Sequence, residues 1–263
     1  MAMDPMFLRA VIRERVHHTL ENKVYNALAS GDPVSPNLGD TVQEMLAVVE
    51  ERGLPTDSAD LQWAYSLLDL AEDLKRGESP DLDIPEPLST ETVQTLEKLI
   101  RQRRSIREVS GEDVPAWMIK KIIEAGLWAP HACNLQNIRV IVIDDAERLA
   151  LFAGKEHRGF RVAIVVCQDM RSYEFYAATV PERNHGLDCG AATQNMVLMA
   201  HALGLGATWM TFTKPEMQRI REHYELPDYI QVVTYIGLGW PRMGPLAPGR
   251  IAVEEAILGD WPG

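Results

Sequence analysis

The sequence predicts an α+β or α/β layer pattern that carries a separate helical segment at its N-terminal end. Apolar residues recur every three or four positions through most of the first 75 residues, a proline-rich acidic stretch then breaks the pattern, and from about residue 90 amphipathic helices alternate with apolar strands. In the first helix Leu8, Val11, Ile12, Val16, Leu20 and Val24 form one stripe, which Ser30-Gly31-Asp32-Pro33 ends. MAMDP, ahead of Met6 (residues 1–5), is compatible with an expression leader. A second helix is expected over Val42 to Glu51. A third runs from Asp60 to about Lys75, with Leu61, Ala64, Leu67, Leu68, Ala71 and Leu74 on one side. His17 and His18 read as a solvated pair on the first helix, because no further ligand is in reach by sequence.

SPDLDIPEPLS, residues 79–89, has three prolines among acidic residues and reads as an extended linker. The expected organisation is a helical extension over 1–80, a linker over 81–89 and a second domain over 90–263. In that domain Thr92 to Arg103 and Pro115 to Trp128 read as helices, and Ile138 to Asp144 and Arg161 to Cys167 as strands. Leu187 to Leu203 is a long helix whose first turns, DCGAAT, have small side chains that let another backbone approach closely. Ala207 to Thr213 and Ile230 to Leu238 are further strands, with the helix Lys214 to Tyr224 between them.

Composition narrows the function classes. A chain of 263 residues makes one large domain or one domain with an appendage. No apolar run approaches the ~20 residues of a membrane span. A formal charge of −12 argues against a nucleic-acid surface. Cys133, Cys167 and Cys189 are odd in number and widely spaced, which disfavours a disulfide framework and fits a reducing cytosol. They form no CxxC zinc spacing, and no metal site is expected.

Three stretches carry candidate chemistry. RQRRSIR, residues 101–107, is an isolated basic cluster in an acidic chain. Arg103, Arg104 and Arg107 with the Ser105 hydroxyl suit a phosphate, and a solvated cationic helix end is the alternative. GLGAT (204–208) and GLGW (237–240) do not complete GxGxxG, and the first runs from helix to strand, the reverse of a dinucleotide loop. Gly204 and Gly206 fit better as helix C-cap and turn residues. WAPHACNLQNIRVIVIDD, residues 128–145, crowds His131, Cys133, Asn134, Gln136 and Asn137 before a buried strand. It reads as a metal site, as a Cys133 nucleophile with His131 as base, or as a cofactor cradle. The cradle explains more, since amide side chains and loop N–H groups supply both donors and acceptors for the alternating edge of a flavin ring.

Taken in order, the pieces resemble the FMN-dependent nitroreductase family. RRSIR matches its basic R-x-S-x-R/K motif, APHACNLQNI its AP-S-x-x-N-x-Q-P-W loop, and DCGAATQN (188–195) its D-A-G-A-A-x-Q-N helix. HALGLGATWM (201–210), Leu226-Pro227, IGLGWP (236–241), and Arg250 before Glu254 and Glu255 follow in the family's order. The resemblance covers about residues 92–260. It implies a three-layer sandwich around a central, mainly antiparallel sheet, in a homodimer with two FMN molecules at the subunit interface.

On the family's pattern Arg103 and Ser105 hold the FMN phosphate, Arg104 flanks it and Arg250 reaches it from a C-terminal arm. Arg107 sits near the flavin N1/O2 edge, where reduction places negative charge. Pro130, His131, Ala132 and Asn134 come from the other subunit, with Gln136 in the same motif. Met210 and Thr211 pass backbone groups near N5, and Gly190, Ala191 and Ala192 pack in the dimer interface. The implied activity is ping-pong: NADH or NADPH delivers hydride to N5, then a small acceptor of nitro, quinone or enone type takes its place. No side chain is assigned as an acid or base, and His131 is a candidate for contact with substrate or flavin.

His131 stands where the family has Ser, Asn137-Ile138 where it has Pro-Trp, and Val109 where it has Phe. A histidine there can titrate near neutral pH. A dehydrogenase, desaturase or dehalogenase of the same fold, or a flavin-storage or regulatory protein, are the alternatives. The 16 residues from Ala146 to Arg161 leave no room for a dehalogenase lid. A cytoplasmic protein without nucleic-acid or membrane partners is expected.

Overall fold

Asp4 starts the first helix by accepting hydrogen bonds from the Met6 and Phe7 amides at 3.0 and 3.1 Å, with Pro5 at the first helical position. Two residues of the stretch read as a leader therefore form a helix cap. The computed structural model describes residues 3–152, 159–176, 178 and 183–259. Residues 1 and 2 of the leader and 260–263 of the second domain lie outside them.

Helix α1 (Pro5–Val16) continues through a π turn (His17–Glu21) into α2 (Asn22–Ser30). The stripe explains the turn. Leu8, Ile12, Val16, Leu20 and Val24 are spaced by four throughout, and on a 3.6-residue helix each such step overshoots by about 40°. A wider π turn returns the later residues to the first face, and all five are buried. They pack with Val42 and Leu46 of α3 (Asp40–Glu51) and with Leu61 and Leu67 of α4 (Ala59–Lys75) in one apolar core. Residues 78–89 contain no regular element, and Ile84 among them is exposed.

Ser89 caps α5 (Thr90–Gln102) by accepting from the Thr92 amide at 3.2 Å. There follow α6 (Ala116–Leu127), β1 (Ile138–Ile143), α7 (Ala146–Leu149), β2 (Val162–Asp169), α8 (Arg171–Phe175) and α9 (Asn184–Ala202). Then come β3 (Gly206–Thr211), α10 (Lys214–His223), β4 (Ile230–Gly239) and α11 (Val253–Ala256). The short α7, α8 and α11 are too brief for a periodic pattern and were not expected. Strand β3 stops at Thr211, two residues early, because Thr213 is the N-cap of α10. Its amide donates to Glu216 Oε2 at 2.7 Å, and its hydroxyl accepts from the Glu216 amide at 3.4 Å.

The four strands form one antiparallel sheet in the order β1-β2-β4-β3. Every residue of β2 is buried, so alternate residues feed two cores. Val162, Ile164 and Val166, with Ile236 and Leu238, meet α6 and α9 through Ile122, Ala192 and Met196. Ala163, Val165 and Cys167, with Tyr235, meet Ile220 of α10 and Phe152 on the other face. Helices on both faces of a mainly antiparallel sheet give the three-layer α+β sandwich that the sequence predicts.

Candidate functional site

The basic cluster leaves α5 at Arg103, where the chain turns extended and runs along the open edge of the sheet. Ile106 N donates to Ala207 O at 3.1 Å, and Thr208 Oγ1 donates to Ile106 O at 2.7 Å. At the far end Ser110 N donates to Trp240 O at 2.8 Å. Close approach explains two glycines beneath this segment. A Cβ on Gly206 would stand 2.9 Å from Ile106, and one on Gly239 would stand 2.8 Å from Val109. Gly206, expected in a turn, therefore opens β3 and makes room; Gly204, at φ 80°, is the turn residue. Val109, where the family has Phe, is buried in this contact.

Charge gathers at the segment's start. Burial pushes the Arg103 guanidinium below its ordinary pKa, and Arg250 and Arg104 add repulsion. His201, at the last turn of α9, is lowered first by burial and then by Arg103 and Arg104. The arginines spend hydrogen bonds on nearby carbonyls: Arg104 on Arg103 O at 2.9 Å, Arg250 on Gly249 O at 2.8 Å. Among the described residues no carboxylate pairs with Arg103, Arg104 or Arg250. In an acidic protein, crowded cations left without acids form a receptor for an anion, and the Ser105 hydroxyl lies in the same segment. Arg107 is exposed a little further along. His201 belongs to this cluster and was missed, although it opens the HALGLGATWM motif.

The loop from Pro130 to Asn137 is built differently. Cys133, Asn134 and Gln136 have φ of 49°, 51° and 51°, a left-handed region that costs a non-glycine residue on the order of 1 kcal/mol or more. The neighbours hold it there. Leu135 is fully buried, and its carbonyl accepts from Arg13 Nε at 3.0 Å and Nη2 at 2.6 Å. Arg13 Nη1 in turn meets Asp60 Oδ2 at 2.6 Å. Ala132 N donates to Asp188 Oδ1 at 3.1 Å, and Asp188 Oδ2 accepts from the Tyr173 hydroxyl. Burial, then Asp188, raises the Tyr173 pKa, so the hydroxyl keeps its proton and remains a donor.

Within this loop His131 Nε2 is buried and has no hydrogen-bond partner. Burial lowers its pKa below the ordinary value, against the opposing pull of Asp188. The imidazole is therefore neutral at pH 7, and titration at neutrality is corrected downward. Two cavities flank it. One of about 440 Å³ lies between Trp63 of α4 and Trp128, His131, Asn134 and Gln136. The other, about 260 Å³, is lined by Arg9, Arg13, His131 and Arg139. Pro130 and Gln136 are exposed, and Gln136 Nε2 donates to Asn134 Oδ1 at 2.9 Å. Asn137 is buried and serves the scaffold: its carbonyl accepts from Asp169 N at 3.0 Å. Cys133 is a poor nucleophile, because burial, Glu14 and Asp188 all raise its pKa.

Met210 and Thr211 divide. Ala207 O faces Ile106, so by the alternation of a strand Trp209 and Thr211 turn their backbone groups to the open edge and Met210 turns its own toward β4. Met210 O already accepts from Thr234 Oγ1 at 2.5 Å. Of the two backbones expected near the flavin, that of Thr211 faces the open edge with Trp209, and that of Met210 faces β4. Ala192, expected in a dimer interface, is fully buried in the chain's own core; Gly190 and Ala191 are half-buried.

One chain keeps the two halves apart. The loop docks at Asp188 near the start of α9, and the cations gather at His201 near its end. Thirteen residues of helix separate them, about 20 Å.

The Nitroreductase family model matches residues 100–174 and 153–240. A provisionally named NADH dehydrogenase/NAD(P)H nitroreductase of Archaeoglobus fulgidus is 35% identical over 152 residues, covering 55% of this chain and 84% of its own. Among solved structures, a nitroreductase from Desulfovibrio desulfuricans in complex with FMN is 33% identical, with a TM-score of 0.53 over 63% of this chain and 96% of that one. The NADPH:FMN oxidoreductase of Vibrio harveyi shares the fold at 24% identity and a TM-score of 0.55, over 63% of this chain and 76% of that one. The family match begins at residue 100, beyond α4.

Proposed function

Because the chain belongs to the nitroreductase family, we propose that it is an FMN-dependent oxidoreductase, active as a homodimer, that draws electrons from NADH or NADPH and reduces a small organic acceptor. The observation that carries the reading is the cluster of Arg103, Arg104 and Arg250 beside His201, with no acid paired to the arginines among the described residues of a chain of net charge −12. A phosphate monoester dianion is the chemistry that such a donor set fits, and Ser105 adds a hydroxyl.

When bound, FMN would supply the redox chemistry that links nicotinamide oxidation to reduction of the acceptor. The chain's own residues bind and orient. Arg103, Arg104, Ser105 and Arg250 hold the phosphate, and Arg107 is the cation for the N1/O2 edge. Thr211 and Trp209 offer backbone groups from the open edge of β3. The separation along α9 supports reading Pro130, His131, Ala132, Asn134 and Gln136 as contributions to the site of a second copy. Neutral His131 offers one ring nitrogen to the acceptor, an enone, quinone or nitro oxygen included. Nicotinamide and acceptor occupy one position in turn, which is ping-pong kinetics. The three cysteines are free, as a reducing cytoplasm favours.

Anaerobic stopped-flow mixing of the flavin-loaded protein with NADH and with NADPH tests the reading. Bleaching of the flavin absorbance by at least one donor, and its return on adding a quinone or nitroaromatic, is expected. A protein that neither retains nor rebinds FMN, or a flavin that neither donor reduces, overturns it.

A further inference from the structure

The π turn of the first helix carries His17 and His18, and opposite them stands Cys133 of the strained loop between α6 and β1. One ligand atom of each residue lies within 4.8 Å of the other two. His18 Nε2 is 3.9 Å from Cys133 Sγ, and the two imidazoles meet edge to face at 4.9 Å between centroids. Each histidine also has an oxygen on its Nδ1: Glu21 Oε2 at 2.7 Å from His17, and the Glu14 carbonyl oxygen at 3.3 Å from His18, with Glu14 Oε1 at 3.1 Å beside it.

We propose that His17, His18 and Cys133 bind one divalent cation of the zinc class, and that this cation fastens the N-terminal helices to the loop of the family domain. These oxygens are the first reason. A carboxylate or backbone carbonyl that takes Nδ1–H fixes the tautomer in which the Nε2 lone pair is free for a metal, and ligating histidines are held this way as a rule. Two imidazoles and a thiolate are then a nitrogen and sulfur donor set that suits zinc, with water in the fourth position. The reach is short: ligands about 2.0–2.3 Å from a tetrahedral zinc stand about 3.5 Å apart, so these atoms need to close by roughly 1 Å. His17 and Cys133 are half-buried and His18 is exposed, so small side-chain rotations suffice.

Backbone is the second reason, and it is independent of the first. Adjacent histidines on an α-helix diverge by about 100°, which normally prevents a shared ligand. Here they sit on the wider π turn that the apolar stripe imposes, a feature frequent at functional sites. Cys133, at φ 49°, pays backbone strain in the loop that faces them. Helix-stabilising His–Glu pairs four residues apart account for the carboxylates alone, but not for the thiol converging on both rings. The reading of His17 and His18 as a solvated pair, and the expectation of no metal, follow from a sequence in which the third ligand is 115 residues away. None of the three is a residue given to the flavin, although Cys133 shares its loop with Ala132 and Asn134, so metal uptake is read independently of flavin binding.

The full-length protein, stripped with a chelator and dialysed, is titrated with Zn(II) in competition with a chromophoric chelator. One equivalent per chain is expected, weakened at least 100-fold in Cys133→Ser and in His18→Gln and about 10-fold in Glu21→Gln. Co(II) in place of Zn(II) should give a thiolate charge-transfer band in the difference spectrum against Cys133→Ser. Far-UV circular dichroism checks that each variant is folded. Absence of stoichiometric uptake by the wild type, or uptake that folded Cys133→Ser and His18→Gln both retain, overturns the proposal.

Discussion

In α1 and α2 the stripe Leu8, Ile12, Val16, Leu20 and Val24 is at most 7% exposed, whereas in α5 the stripe Val93, Leu96 and Ile100 is 44, 47 and 52% exposed. Both helices are amphipathic, so the difference lies in what each finds to pack on. The first finds α3 and α4 within its own chain. The second finds no cover there, and Leu187, Leu246 and Ile251 are exposed with it. Buried charge divides the same way. Beside α1, Arg13 meets Asp60 and Glu14 meets Arg15, while at the end of α5 the arginines have no acid among the described residues. The N-terminal helices bury their stripe on one another; the α5 region leaves its apolar stripe exposed beside the arginine cluster, the features from which the dimer and the phosphate site are proposed.

Breaking the N-terminal region should have the largest effect. Arg13→Ala leaves Asp60 buried without its inner partner and frees the Leu135 carbonyl, and denaturant unfolding should read a loss of about 3–5 kcal/mol. Unchanged stability would mean that the pair does not hold the loop. Acid should act on the same joint. Burial opposes ionisation of Asp60, but the Arg9 hydrogen bond and the Arg13 charge outweigh it and hold the pKa at about 2 instead of 3.8. The stabilisation is therefore full above the ordinary carboxylate range and is lost as the pH falls from about 4 toward 2. Arg13 is itself lowered to about 10, since its burial outweighs the pull of Asp60, and it stays charged at neutral pH. The pair positions the loop more than it adds net stability. Loss of the N-terminal transition should track that window, and a transition insensitive to it in wild type would contradict the assignment.

A smaller effect is expected at the open end. Arg103→Ala removes one charge-assisted contact to phosphate, worth about 1.5–3 kcal/mol, so FMN should dissociate about 10- to 100-fold more readily. Fluorescence recovery of released flavin measures it, and unaltered retention refutes the phosphate assignment for that residue.

Periodic features were the legible ones. Each long helix and each strand is recognisable within about three residues, because burial on one face leaves a repeat in the sequence. The basic cluster was legible because four arginines fall within seven residues. What joins distant parts was not. Arg13 contacts Leu135 O across 122 positions, and neither residue type announces the bond. His201 looked like any histidine at a helix end, and the π turn that gathers His17 and His18 shows only as a spacing of four. The backbone directions of Met210 and Thr211 depended on which edge Ile106 occupies, a tertiary fact.

The central claim is that one chain holds two half-sites, about 20 Å apart along α9, which a second copy completes. Native mass spectrometry of wild type and Leu96→Asp tests it most directly, since a carboxylate in the α5 stripe should split a dimer whose interface buries that face. Wild type should appear as a dimer with one FMN per chain, and the variant as a folded monomer without flavin. A wild-type monomer that keeps its FMN, or a Leu96→Asp monomer that does, would contradict it.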